Sequence, residues 1–215
     1  MKLKKYLIAG GNPTLLVWNC PEKKKVDVCN RYLGKVEQVG FISKSQDNKP
    51  VLEMMGNELC INATIALASL LGKSDALRTS SLDKPIGFLN KNGITSLELP
   101  LIYRVTGDIV LFPGIGFKYS KKTSVPTKSY LRKLCGRYNR PAFGVATYKK
   151  SVLTPYVYVK NTRSLFKETA CGSGSIAAAI FTGDRNIVQP SGEKISVGLT
   201  KSTVLISANV KELPL

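Results

Sequence analysis

The sequence predicts an α+β fold built from two similar halves, each delivering a cysteine at the start of a helix that must be buried. Three observations carry this. Glu168-Thr169-Ala170-Cys171-Gly172-Ser173-Gly174-Ser175 runs directly into Ile176-Ala177-Ala178-Ala179. Glycines and serines open a helix while leaving its first N–H groups accessible, and the continuation is too uniformly apolar for a surface helix. Glu58-Leu59-Cys60-Ile61-Asn62-Ala63-Thr64-Ile65-Ala66 reads as a looser copy. With Cys60 placed on Cys171, Asn62 falls on Ser173, Thr64 on Ser175, Ile65 on Ile176 and Gly72 on Gly183, without a gap. Upstream, Val39-Gly40-Phe41-Ile42 and Phe143-Gly144-Val145-Ala146 form a second matched pair of short β-type runs. Repetition of this kind is the signature of a duplicated unit.

The elements follow in order. Lys4 to Ala9 and Leu15 to Asn19 read as strands around the turn Gly10-Gly11-Asn12-Pro13. A short helix is expected over Lys23 to Leu33, then a strand from Val36 to Ser43, a turn at Ser45 to Pro50 and a strand from Val51 to Met55. The helix from Cys60 to about Leu71 should stop at Gly72, and its encircling apolar residues require a sheet around it. Ala76 to Leu111 carries several short β-type runs, with Lys91-Asn92-Gly93 as a hairpin turn and Leu97-Glu98-Leu99-Pro100 alternating. Phe112-Pro113-Gly114-Ile115-Gly116 marks the change of halves. Thr127 to Tyr138 reads as an amphipathic helix, Val152 to Val159 as a strand, and Gly172 to Phe181 as the second central helix. Lys194 to Leu199 and Thr203 to Val210 close the chain as strands after the turn at Gln189-Pro190-Ser191-Gly192. The halves divide as residues 1–107, carrying Cys60, and 108–202, carrying Cys171. A last strand over about 203–215 is available to return to the first half.

Composition narrows the chemistry. With 43% hydrophobic and 21% charged residues the chain reads as globular, but its net charge is +18. The lysines are scattered in pairs and triplets such as Lys23-Lys24-Lys25 and Lys149-Lys150, without interleaved aromatics, so a solvated basic surface is favoured over a nucleic-acid site. Five cysteines, odd in number and widely spaced, with no histidine at all, point to a reduced, cytoplasmic setting without disulfides or a metal site. No stretch approaches a membrane span. Without histidine, groups able to move protons near neutrality are cysteines, perturbed carboxylates, lysines and tyrosines. Cys60 and Cys171 are the best placed, because the positive end of a helix is expected to lower a thiol pKa and to hold an anion such as a carboxylate. Cys20, Cys29 and Cys135 read as inert small hydrophobes.

With both cysteine motifs in view, the chain resembles the cofactor-independent, two-cysteine amino-acid racemases of the diaminopimelate epimerase fold, and most nearly the histidine racemases of opine-metallophore biosynthesis. The matching blocks are Gly11-Asn12-Pro13-Thr14-Leu15-Leu16-Val17, Glu37-Gln38-Val39-Gly40-Phe41-Ile42, Gly56 to Thr64, Glu168 to Gly174 and Gln189-Pro190-Ser191-Gly192, in family order. The resemblance implies two pseudo-symmetric lobes, each a curved, mostly antiparallel sheet around a central helix, with an amino-acid substrate between them and no cofactor. It implies that Cys60 and Cys171 face opposite sides of the substrate Cα, one as thiolate removing the α-proton and the other as thiol delivering one. Backbone N–H groups of Ile61, Asn62, Gly172 and Ser173 would hold the α-carboxylate. Asn12 and Gln38 match substrate-contacting positions, although Asn12 also suits a turn and Gln38 a solvent-facing strand position. Glu58 and Glu168 match the acidic positions beside each cysteine, with capping as their other reading. Ile61 stands where the family usually has glycine, as does Ser191. A homodimer is implied by the same resemblance. Diaminopimelate epimerase itself, a phenazine-biosynthesis-type isomerase and a basic nucleic-acid-binding protein are the alternatives.

Overall fold

The computed structural model describes residues 1–100, 103–122 and 124–215. The part of the expected β-rich stretch at 101–102 lies outside the described residues. Among the described residues the fold is a mixed α+β arrangement dominated by strands, with four α-helices. In order, the elements are β1 (Lys2–Ile8), β2 (Gly11–Trp18), α1 (Lys25–Tyr32, entered through a 3-10 turn), β3 (Gln38–Lys44), β4 (Pro50–Met54), α2 (Ile61–Ala68), β5 (Ser74–Thr79), β6 (Leu82–Lys91) and β7 (Ile94–Pro100). There follow β8 (Arg104–Thr106), β9 (Ile109–Phe112), β10 (Ile115–Ser120), α3 (Lys128–Arg137), β11 (Ala142–Lys149), β12 (Val152–Val159), β13 (Ser164–Lys167), α4 (Gly172–Thr182), β14 (Asn186–Val188), β15 (Lys194–Leu199) and β16 (Thr203–Leu213).

Each helix is the crossover of a parallel strand pair, a connection that parallel strands require. α1 joins β2 to β3, α2 joins β4 to β5, α3 joins β10 to β11 and α4 joins β12 to β14. The pattern of pairings therefore recurs along the chain, β2 to β7 and β10 to β16 following the same sequence of parallel and antiparallel steps. Strands β1 to β7 and β16 close on themselves through the β1–β16 pair. β16 also pairs with β15, so it is the strand common to both runs.

Alternation along the strands decides which helix lies on which face. Leu15 and Val17 of β2 pack with Val28 and Cys29 of α1, while Leu16 between them packs with Ile65 and Ala66 of α2. Likewise Phe143 and Val145 of β11 pack with Leu131 and Cys135 of α3, and Ala142 and Ala146 face the core that holds α4. Both faces of these strands are thus covered, which is why they read as continuous apolar runs. All eight residues of α2 are buried, and it touches β1 to β4, β6, β7 and β16. α4 touches β10 to β12 and β14 to β16, and its small residues Ala177, Ala178 and Ala179 let the strands approach.

Several boundaries differ from the sequence reading. α2 ends at Ala68 rather than Leu71, because Leu70 and Leu71 donate one residue short, to Leu67 and Ala68, and Asn90 Nδ2 takes the carbonyls of Ala68 and Gly72. The Gly10-Gly11-Asn12-Pro13 turn is tighter than expected: β2 already begins at Gly11, with Asn12 in the left-handed region at φ +45°. Ile115 and Gly116 start β10 rather than marking only a break, and β13 had no strong local signal. No described helix is long and apolar enough to cross a membrane.

Candidate functional site

The starts of α2 and α4 meet. Cys60 and Cys171 are their N-caps, both with extended backbones (φ −101°, ψ 101° and φ −145°, ψ 107°). Each sulfur accepts the N–H three residues on, Ala63 at 3.4 Å and Gly174 at 3.2 Å. Each cysteine carbonyl accepts the hydroxyl four residues on, Thr64 Oγ1 at 2.7 Å and Ser175 Oγ at 2.7 Å. The positions that align in the sequence therefore make the same local bonds. The remaining first-turn N–H groups lack helical acceptors by geometry. Those of Ile61 and Ser173 donate to no other protein group among the described residues, and that of Asn62 faces the Cys60 sulfur.

The two starts are also tied to each other. Asn62 Nδ2 donates to Ala170 O at 2.9 Å, and its Oδ1 accepts from Gly172 N–H at 2.9 Å. Beside this clasp Ile61 lies against Gly172: a Cβ on Gly172 would sit 2.7 Å from Ile61 Cβ. The larger residue at position 61 is thus accommodated because its opposite number has no side chain. Gly11 plays a similar part at the other contact, where a Cβ would fall 2.7 Å from the Thr169 carbonyl carbon.

Gln38, at the head of β3, links the thiols' surroundings. The Cys60 thiol donates to Gln38 Oε1 at 2.9 Å, and Gln38 Nε2 donates to Glu168 Oε1 at 2.8 Å. Glu168 Oε2 and Glu58 Oε2 are buried without a hydrogen-bond partner. Of the residues singled out from the sequence, Gln38, Glu58, Cys60, Ile61, Asn62, Glu168, Cys171, Gly172 and Ser173 line one cavity. Asn12 is wholly buried behind it: its N–H donates to Thr169 Oγ1 at 2.6 Å, its Nδ2 to Glu37 Oε2 at 2.9 Å, and its Oδ1 accepts from Thr14 at 2.8 Å.

Two residues of the site escaped the sequence reading as individual side chains. Glu37 accepts from the Thr169 N–H (3.1 Å) and hydroxyl (2.7 Å) as well as from Asn12. Gln189 accepts the Cys171 N–H at 2.9 Å and donates to Ser175 Oγ at 2.9 Å. Each lies inside a motif noted above, but Thr169, which Glu37 engages, is 132 residues away, and no local pattern announces that.

The electrostatics overturn one expectation. Both thiols lie well above the ordinary cysteine range, not below it. Burial is the main cause for each, and the Glu168 charge adds to it; the helix N–H groups of Ala63 and Gly174 pull the other way without prevailing. Glu168 itself is pushed up to about 8, first by burial and then by the neighbouring Glu37 charge. Burial also raises Glu37 and Glu58. Desolvation of a charged form outweighs a partial helix-terminal charge when the group is fully enclosed.

Comparison with known proteins decides the kinship. Residues 10–92 match the family described as the histidine racemase CntK N-terminal domain. A histidine racemase of Fusobacterium nucleatum is 31% identical over 193 residues, covering 73% of this chain and 72% of that protein. The chain belongs to the histidine racemase family. It is accordingly a PLP-independent amino-acid racemase, an isomerase. Within the family, a histidine racemase of Staphylococcus aureus is 22% identical over 226 residues, covering 85% of this chain and 83% of that one. Among solved structures, a predicted epimerase from Pseudomonas aeruginosa has a TM-score of 0.67 at 8% identity, covering 99% of this chain and 96% of the other. A probable proline racemase from Agrobacterium radiobacter with bound carbonate has a TM-score of 0.62 at 9% identity, covering 99% of this chain and 92% of the other. Likeness at such identity establishes the fold alone.

Proposed function

We propose that this racemase inverts the Cα of histidine by a two-base mechanism in which Cys60 and Cys171 act on opposite faces. One sulfur as thiolate removes the α-proton, and the other as thiol returns a proton from the far side. The thiol and thiolate states are exchanged by each inversion, so no proton is gained or lost overall. The electron pair left on Cα spreads into the α-carboxylate, which the N–H groups of Ile61 and Ser173 hold at two helix N-termini, with that of Asn62 beside them. Gly172 contributes by position, its own N–H being engaged by Asn62. The unpartnered Glu168 Oε2 receives the α-ammonium. An ammonium there opposes the carboxylate field on Cys171 and so brings the raised thiol pKa down when substrate is in place.

The observation that carries this reading is that both cysteines, the N-caps of separate buried helices, line a single cavity. The substrate assignment draws on the relatives, which are histidine racemases. In this reading the chain is two pseudo-symmetric lobes, 1–107 with the returning strand at about 203–215 and 108–202, and the cavity lies between them.

The test is α-proton exchange of L-histidine in D2O by NMR, without added PLP, for the native protein and for Cys60→Ser and Cys171→Ser. Exchange by the native protein and its loss on either substitution is the expected result. Undiminished exchange in either variant would remove that sulfur from the mechanism.

A further inference from the structure

Beside Cys60 the cavity wall holds a carboxylate that the mechanism above leaves unused. Glu58 is nine-tenths buried and lines the cavity, and its Oε2 has no hydrogen-bond partner. That oxygen lies against Gly56, where a Cβ would collide with it, so the glycine makes room for the carboxylate. The cavity wall includes apolar side chains, Leu33, Met55 and Val159 among them. The other two carboxylates of the wall are accounted for. Glu37 is engaged by Asn12 and Thr169, while Glu168 bonds Gln38 through one oxygen and faces the α-ammonium with the other. Although the chain carries a net charge of +18, the described cavity lining contains no lysine or arginine.

A buried acceptor without a donor is unfavourable, and it is satisfied when a ligand brings the donor. The missing donor is not the α-amino group or the α-carboxylate, which have other partners in the mechanism. What remains of an amino acid is its side chain. A largely apolar wall with one unpartnered carboxylate oxygen, the Thr162 and Ser164 hydroxyls being paired with each other, suits a flat ring bearing an N–H at its edge rather than a fully charged, strongly hydrated chain.

We infer that Glu58 is the specificity residue of this racemase, accepting a hydrogen bond from the ring N–H of an imidazole side chain through its unpartnered Oε2. This rests on the amino-acid racemase reading above and deepens it. Selectivity against a ring without that donor should be large, because the site is left with an unpaired buried acceptor when the wrong substrate enters.

The experiment compares α-proton exchange of L-histidine with that of β-(2-thienyl)-L-alanine, whose ring is of similar size but has no N–H. The native protein should favour histidine by at least about a hundredfold in kcat/KM. Glu58→Leu removes the acceptor and should reduce that preference to within about threefold, mainly through the KM for histidine. Glu58→Gln keeps an acceptor and should restore part of the preference. Because Glu58→Leu also removes an unsatisfied buried acid, it should unfold at a higher temperature than the native protein, which separates lost recognition from lost folding. A native protein that exchanges both substrates equally would overturn the inference, as would a Glu58→Leu variant with undiminished histidine preference. The racemase reading would survive both of those results. A native protein inert toward histidine and thienylalanine alike would defeat the histidine reading itself, and the imidazole assignment with it.

Discussion

Asn62 accepts the backbone N–H of Gly172 while donating to the carbonyl of Ala170, so a side chain from the first turn of α2 holds the residues on both sides of Cys171. The position of the second thiol relative to the first is thereby set by two hydrogen bonds rather than by packing alone. The sequence copy places Ser173 opposite Asn62, and serine is too short to return the favour. The clasp is asymmetric although the surrounding bonds are duplicated.

Asn62→Ala should accordingly cost about 2–4 kcal/mol of stability, because it orphans a buried N–H and a buried carbonyl at once. It should also lower kcat more than it raises KM, since proton transfer depends on how the two sulfurs are placed. Urea unfolding together with exchange kinetics would check this. A variant with native kcat would show that Cys171 is positioned without the clasp.

Ile61 and Gly172 exclude each other's side chains. Gly172→Ala should lose activity and about 1–3 kcal/mol of stability, since the new methyl would press on the Cβ of Ile61 and on Asn62 Oδ1. Ile61→Ala cannot relieve that contact, because its Cβ remains, whereas Ile61→Gly can. The double variant Ile61→Gly/Gly172→Ala should therefore be more active than Gly172→Ala alone, a coupling that a double-mutant cycle measures directly. Additivity in that cycle would mean that the two helix starts adjust independently.

These relationships mark what the sequence could and could not disclose. The cysteine starts, the apolar central helices and the repeat between them were legible because they are local: N-cap chemistry, small residues and a gapless register lie within a dozen positions. The Thr64 and Ser175 hydroxyl bonds follow from that register. Gln38 could be picked out by its family position, but not its bond to Glu168 across the chain. Asn12 was legible as a special residue after two glycines, yet its side chain turns to Glu37 and Thr14 rather than to the cavity. The thiol pKa values went the opposite way from expectation for a related reason. A helix terminus is visible in the sequence, whereas complete enclosure and a carboxylate from elsewhere in the chain are properties of the assembled fold.

Cys135 should be dispensable. It lies in the small core beneath α3 with Leu131, Leu134 and Phe143, away from the cavity, and burial pushes its thiol up to about 11. Cys135→Ala should leave exchange kinetics unchanged and cost about 1 kcal/mol through lost packing. A marked fall in kcat with retained folding would assign this thiol a role that its surroundings give no sign of.

Glu168 makes the stability of the substrate-free protein depend on pH in a direction opposite to that of ordinary surface acids. Its folded value of about 8 lies above the usual glutamate value of 4.5, so between these limits the folded state binds more protons than the unfolded one. Its contribution to stability is fully present below about pH 4.5 and is lost as pH rises through about 8. Glu37 and Glu58, also raised, act in the same sense. Resistance to urea should therefore fall by a few kcal/mol between pH 5 and pH 8.5. Glu168→Gln should flatten most of that slope, and saturating substrate should do the same in the native protein by supplying an ammonium to the ionised carboxylate. A profile that rises across this window, or one that Glu168→Gln leaves unchanged, would mean that Glu168 is ionised and satisfied in the resting fold.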